Sequence, residues 1–309
     1  MIKIVSKKYI GEFALLLVTL LWGGTFTIVK ESLSDVSPML FIGLRFSLAS
    51  LILLPFAIKH FNSFDRSSVI SGTILGVLLF FGFATQTVGL NYTTATKSGF
   101  ITGSLVVMIP ILQLIVIKKK PNKGAVIGVI LVFIGILFLS SGGASIQTFL
   151  NDLGANFNKG EAYTLICAFV FALHVVYLDI FTKRNSILVL LFFQIFVTAV
   201  LAFASAIVFS FTQVEAVQFD ATYYLIFGIL YTSIFATLIT TALQTKYQKE
   251  VTPTKAGIIY SFEPIFAAII AFFALSEKIT NFGLIGCALI FSGLIVSEIY
   301  ESIFQKNDS

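Results

Sequence analysis

Long apolar runs alternate with short polar breaks along the chain, and each run is continuously apolar. The runs lie at 11–31, 38–58, 68–90, 95–117, 124–141, 160–182, 187–211, 221–245, 254–275 and 280–300. At about 1.5 Å rise per residue, a helix of this length crosses a hydrocarbon core about 30 Å thick with modest tilt. A barrel strand would be roughly half as long and would alternate apolar and polar positions. Backbone groups in lipid must pair internally, which leaves helices as the spanning element. The pattern therefore predicts an all-α integral membrane protein with ten transmembrane helices. The longest connection, 142–159, is rich in Gly, Ser and Asn.

Composition agrees with the pattern. Hydrophobic residues make up 57 % of the chain and charged residues 11 %, against about 25 % charged in soluble domains. The net charge of +5 forms no patch or stripe, so no nucleic-acid partner is expected. The basic residues sit between apolar runs and read as topology. One set of loops and ends holds Lys3, Lys7, Lys8, Lys59, Arg66, Lys118, Lys119, Lys120, Lys123, Lys183, Arg184, Lys246, Lys249 and Lys306. The opposite set holds Lys159 and Lys278, with Lys30 and Lys97 at helix ends, and carries Asp35, Asp152, Glu215 and Asp220. The positive-inside rule then puts both termini in the cytoplasm of a bacterial inner membrane. The run 11–31 follows Met1–Lys8 as in a signal peptide, but it is too long for an h-region and lacks a small-residue cleavage pattern, so it reads as the first span. Cys167 and Cys287 lie inside apolar runs and read as small buried hydrophobes, with no disulfide, metal or cofactor site expected.

Helices one to five resemble helices six to ten. Gly11-Glu12 opens the first run and Gly160-Glu161 the sixth. Thr96-Lys97-Ser98-Gly99 opens the fourth, and Thr254-Lys255-Ala256-Gly257 opens the ninth, 158 positions later. The same offset relates Gly128 to Gly286 and Gly135 to Gly293. Five is odd, so the second copy enters the membrane from the other side. This predicts two inverted five-helix repeats, 1–145 and 146–309, an arrangement found in transporters with a site near the midplane.

Several elements recur in a known family. Leu21-Trp22-Gly23-Gly24-Thr25-Phe26 ends at Lys30, Arg45-Phe46 is followed by Ala49, and the third-to-fourth junction reads Gly89-Leu90-Asn91-Tyr92-Thr93-Thr94-Ala95. Phe262-Glu263-Pro264 lies in the ninth run, and Glu277 starts the last connection. In order and spacing these resemble the drug/metabolite transporter superfamily, in particular its EamA-type permeases. Lys118-Lys119-Lys120-Pro121 departs from the acidic-basic pair of many members. The resemblance implies a ten-helix transporter with a central cavity, often exporting amino acids or related metabolites.

Ionisable residues inside the membrane are costly and mark candidate sites. Glu263 lies about 13 Å from the basic end of its helix, near mid-depth. Pro264 beside it removes a backbone donor and frees a carbonyl near Ile259 or Tyr260. A carboxylate there suits a substrate ammonium or a transported proton; the alternative is a structural ion pair. Arg45 lies about 10 Å deep from the other side, within reach of Glu263 if the helices are neighbours. Gln86, Asn91, Lys97 and Lys30 fall in the outer halves of their helices and could draw in an anionic group, although lysines there also snorkel to the surface. Trp22, Thr25, Tyr260, Thr102, Ser104, Tyr231, Thr237 and Ser261 lie near mid-depth, where they line a cavity or satisfy their own backbone. The glycines read as close helix contacts.

His174 and Asp179 have the spacing of an acyltransferase His-x4-Asp motif. On one helix they lie about 140° apart. A buried neutral histidine, a proton relay and a general base are the three readings of His174. Together these features predict a non-enzymatic exporter of small metabolites, most often amino acids or related compounds, by alternating access. Glu263, Arg45, Trp22, Thr25, Tyr260, Gln86, Asn91 and Lys97 are its substrate contacts, and Glu263 and His174 its proton-coupling candidates. A membrane acyltransferase and a passive facilitator are the rivals. Oligomeric state is left open.

Overall fold

The computed structural model describes residues 2–60, 64–141, 145–155, 157–275 and 280–304. Glu277, Lys278 and Lys306 lie outside the described residues. We label the spans α1 (Tyr9–Ser32), α2 (Pro38–Lys59), α3 (Arg66–Leu90), α4 (Ala95–Ile117), α5 (Lys123–Ser140), α6 (Lys159–Thr182), α7 (Ile187–Phe211), α8 (Tyr223–Glu250) and α10 (Asn281–Tyr300). Among the described residues these nine are long and apolar enough to cross a membrane. The ninth span, α9, is split into Pro253–Tyr260 and Glu263–Leu275. All ten apolar runs thus become helices at nearly the expected positions. The outward faces carry exposed apolar side chains such as Phe13, Leu51, Phe56, Ile115, Ile130 and Phe211, the surface that hydrocarbon covers.

Two boundaries differ from the pattern. Helix begins at Ile2, nine residues before the first apolar run. The connection 142–159 contains a helix, Ile146–Ala155, where only a Gly/Ser/Asn-rich link was expected. Ile146, Phe149 and Leu150 are its helical-spaced apolar positions, and Phe149 is buried edge-on against Phe100, with ring centroids 5.3 Å apart.

The packing has an approximate two-fold relation between repeats. α6 packs on α3 and α4, and α1 packs on α8 and α9; α2 packs on α7, and α5 on α10. The 158-residue offset recurs in the caps. Thr94 caps α4 by accepting from Lys97 N, and Thr252 caps α9 by accepting from Lys255 N. Asn122 caps α5 through Ala125 N, and Thr280 accepts from Gly283 N at the start of α10. Each cap satisfies one of the donors a helix start leaves unpaired. α4 breaks at Ser104 and α9 at Ser261–Phe262, again near-equivalent positions.

The α5–α10 crossing shows the inversion directly. A Cβ on Gly128 would lie 2.7 Å from Gly293 O, and one on Gly135 would lie 2.8 Å from Gly286 O. The earlier glycine of one helix meets the later glycine of the other, so the helices run antiparallel. The three largest apolar clusters among the described residues come from α2, α3 and α7, from α1, α4, α6 and α9, and from α4, α5, α9 and α10.

The short connections also join the repeats. Val36 and Phe219 form an isolated antiparallel bridge, and Asp220 N donates to Asp35 O at 2.8 Å. Glu215 accepts from Met39 N at 3.2 Å, at the start of α2.

Candidate functional site

A cavity of about 510 Å³ lies between the repeats. Its floor is at mid-depth, where Arg45, His174, Gln244, Tyr260 and Glu263 contribute. It continues to the end remote from the lysine clusters, past Phe26, Leu90, Thr96 and Ser140. The size suits a small metabolite, since ligand pockets run about 300–1,000 Å³.

The helix break places Glu263. Pro264 has no N–H to bond Tyr260 O, so the first half of α9 ends at Tyr260. Ser261 and Phe262 turn the chain through bonds to Gly257 O and Ile259 O, and a new half-helix starts at Glu263. Proline costs little in the first turn of a helix, where its missing donor has no partner. The carboxylate therefore sits at a half-helix N-terminus facing the cavity, an end that favours negative charge. Its side chain makes no hydrogen bond or ion pair with the described residues, apart from its place in the lining.

Arg45 lines the same cavity but does not pair with Glu263. Its Nε donates to Thr237 Oγ1 at 2.6 Å and its Nη2 to Ala236 O at 3.0 Å. The guanidinium carbon lies 4.6 Å from the Phe83 ring centroid, within cation–π range. α8 is π-wound over Ile234–Ile239, and that irregular turn presents the Ala236 carbonyl to the bundle interior. Trp22 Nε1 shares this acceptor at 3.3 Å. The expected charge pair is thus replaced by contacts to α8. Both groups line the cavity, but depth carries no information on the direction each faces.

Trp22 and Tyr260 form an aromatic wall, with centroids 5.6 Å apart. Tyr260 OH donates to Gln248 Oε1 at 2.8 Å, and Gln248 Nε2 donates to Val175 O at 2.7 Å. Thr25 lines the cavity while its hydroxyl donates to Trp22 O at 2.8 Å, across the interruption of α1 at Gly23–Gly24. Gln86 lines it too, with Nε2 3.5 Å from Thr102 Oγ1. Asn91 and Lys97 are not among the lining residues: Asn91 is exposed at the end of α3, and Lys97 is half-buried near Glu161. Lys30 donates to the Leu90 and Thr93 carbonyls and so ties α1 to the α3–α4 corner.

His174 and Asp179 do not form a dyad. His174 Nε2 lies 3.2 Å from Gln194 Oε1, and Gln194 Nε2 donates to Thr245 Oγ1 at 2.8 Å. Asp179 pairs with Lys183 at 2.7 Å. A general base needs its orienting carboxylate within hydrogen-bond reach, and this one is held by a lysine. His174→Gln is therefore expected to keep at least about half of the wild-type flux, because Gln can retain a hydrogen bond to Gln194. Radiolabelled flux in vesicles checks this; loss of flux with intact folding would give His174 a relay role.

Lys255 stands in the repeated Thr254-Lys255-Ala256-Gly257 element, but the sequence pattern gives it no role of its own. Its side chain is 2 % exposed and pairs with Glu12 at 2.5 Å and also with Glu298. Its place at the start of a spanning run, beside loop lysines, was the available signal.

The EamA-like transporter family model matches twice, over residues 9–141 and 158–298. The chain belongs to the EamA-like transporter family. It is 33 % identical to an uncharacterized transporter of Archaeoglobus fulgidus over 290 residues, covering 94 % of this chain and 86 % of that protein. It is 24 % identical to the uncharacterized transporter YoaV of Bacillus subtilis, covering 91 % and 94 %. An S-adenosylmethionine uptake transporter of Rickettsia bellii matches at 26 % identity over 52 % of this chain and 53 % of its own length. A solved structure with 16 % identity and a TM-score of 0.72 covers 96 % of this chain and 97 % of its own, and shares the fold. The protein is thus a multi-pass membrane transporter of a small molecule, and the two matched segments are its two five-helix repeats.

Proposed function

We propose that this family member carries amino acids or related compounds, by alternating access of its two repeats, and that it works as an exporter. The observation that carries the reading is the mid-depth cavity with Glu263 on one wall and Arg45 on another, each uncommitted to the other. A zwitterion presents an ammonium and a carboxylate on a small frame, and the two walls offer one complement to each. Trp22, Tyr260 and Phe83 supply the apolar surface between them. Thr25 and Gln86 are placed as polar contacts in this reading. Asn91 and Lys97 act at the approach to the cavity.

The lysine bias supports a bacterial cytoplasmic membrane with both termini inside. The cavity then opens outward, and the division between repeats falls at 145/146. Charge reversal of Lys118, Lys119 and Lys120 is expected to disturb insertion and leave substrate choice unaltered. Reporter fusions at the chain ends check this, and unchanged orientation would count against the assignment of sides.

Counterflow in proteoliposomes tests the function. Protein loaded with pooled amino acids and related metabolites should transiently accumulate a labelled member from outside. Flux without counterflow would mean a passive facilitator. No flux of any member would mean the substrate class is wrong. The relative named for S-adenosylmethionine uptake makes that compound, itself an amino-acid derivative, a fitting member of the pool. Oriented vesicles read whether import or export prevails.

A further inference from the structure

The two repeats have the same parts but not the same closure. Thr96 on α4 is exposed and lines the cavity, whereas its repeat equivalent Thr254 on α9 is 1 % exposed. A Cβ on Gly99 would meet only Phe26, at 3.9 Å, whereas one on Gly257 would meet Ile109 at 2.8 Å. Lys97 is half-buried, whereas Lys255 is 2 % exposed between Glu12 and Glu298.

The lysine-rich end is closed by bonds that cross between helices. Thr254 donates from N and Oγ1 to Gln113 Oε1, at 3.1 and 2.9 Å, joining α9 to α4. Lys255 joins α9 to α1 through Glu12 and to α10 through Glu298. At the other end the equivalent positions are Lys97, Glu161 and Ser140. Glu161 Oε1 accepts from Thr93 at 2.6 Å, Lys97 lies near the same carboxylate, and Ser140 lines the open cavity.

From this asymmetry we infer that Lys255, Glu12 and Glu298 form the gate at the lysine-rich end, and that Lys97 and Glu161 belong to its counterpart at the other end. The inference rests on the carrier reading above. Each repeat then exchanges the two closures: when Lys255 leaves its carboxylates, the first half of α9 swings away from α1 and α10, and the first half of α4, already packed on α6, closes over the cavity mouth at Thr96. Thr254 becomes cavity lining as Thr96 is now. Interfaces of this kind are bistable, because packed elements have two discrete arrangements. A buried ion pair is also better attested as a switch or register element than as a source of net stability.

Matched cysteine probes test this without a known substrate. Thr254→Cys and Thr96→Cys would each be placed in a C167A/C287A background and labelled by a membrane-impermeant thiol reagent from either side. Glu12→Gln with Glu298→Gln removes both carboxylates. The expected result is about tenfold faster labelling of T254C from the lysine-rich end, with slower labelling of T96C from the opposite end by a similar factor. Lys255→Arg keeps the charge and is expected to label like the parent. If the double variant loses its monodisperse peak, E298Q alone is read the same way. Unchanged labelling at both ends would overturn the gate. Faster labelling at both ends would overturn it too, since that is loosening and not exchange. Reciprocal labelling in a protein without counterflow would remove the substrate reading and leave the gate; counterflow without reciprocal labelling would remove the gate alone.

Discussion

Glu263→Gln is expected to lower counterflow by about 10- to 100-fold while leaving a folded, monodisperse protein. A hydrogen bond to a charged group contributes about 1.5–3 kcal/mol, and each 1.4 kcal/mol is tenfold in affinity. Gln keeps the shape and can still accept a hydrogen bond, so the loss measures charge and not packing. The structure explains why stability should be spared. Glu263 is bonded to no cation among the described residues, so neutralising it strands no partner. Arg45→Met differs in this respect, because it removes the donor to Thr237 Oγ1 and leaves the Ala236 carbonyl with Trp22 Nε1 alone. Glu263→Asp keeps the charge one methylene further back and should fall between Gln and the parent. Counterflow at several pH values, beside gel filtration, reads all three variants. Parent-like counterflow by Glu263→Gln throughout would take Glu263 out of the mechanism.

Much of the fold is legible in the sequence because membrane physics leaves few alternatives. Run length and continuity select helices, and an odd repeat forces inversion. The 158-residue offset proved to be more than matched letters: it relates N-caps, helix breaks and the glycine contacts of α5 and α10. The short helix Ile146–Ala155 was hidden by composition, since Gly, Ser and Asn around it outweighed three apolar residues at helical spacing.

The site is only partly legible, for a geometric reason. Sequence position gives depth along the membrane normal, so Glu263, Arg45, Trp22 and Tyr260 can be assigned to mid-depth. It does not give the azimuth of a side chain. Arg45 accordingly turned out to face α8, and Lys97 lies away from the cavity lining. The Lys255 pairs were illegible for a related reason. Glu12 and Glu298 stand on helices from opposite ends of the chain, and nothing local ties either to Lys255.

The largest stability effects are expected at the α5–α10 crossing. A Cβ on Gly286 would lie 2.6 Å from both Gly135 O and Leu139 N, and one on Gly135 would lie 2.8 Å from Gly286 O and 2.9 Å from Ile290 N. These obstacles are backbone atoms, so no rotamer change relieves them, and the helices themselves must separate. Overpacking of this kind costs about 1–3 kcal/mol for a methyl group. Gly135→Ala and Gly286→Ala should therefore each lower the unfolding temperature in detergent, and Gly286→Leu should yield no monodisperse protein. The double alanine variant should cost less than the sum of the singles, because one separation of the helices accommodates both methyls. Gly99→Ala is the control, as its Cβ meets nothing nearer than 3.9 Å. Parent-like unfolding of both single variants would mean that α5 and α10 are not held by this close approach. The expectation follows from the solvent: lipid supplies no hydrophobic force to bring apolar helices together, so close packing between small residues must hold the repeats in register.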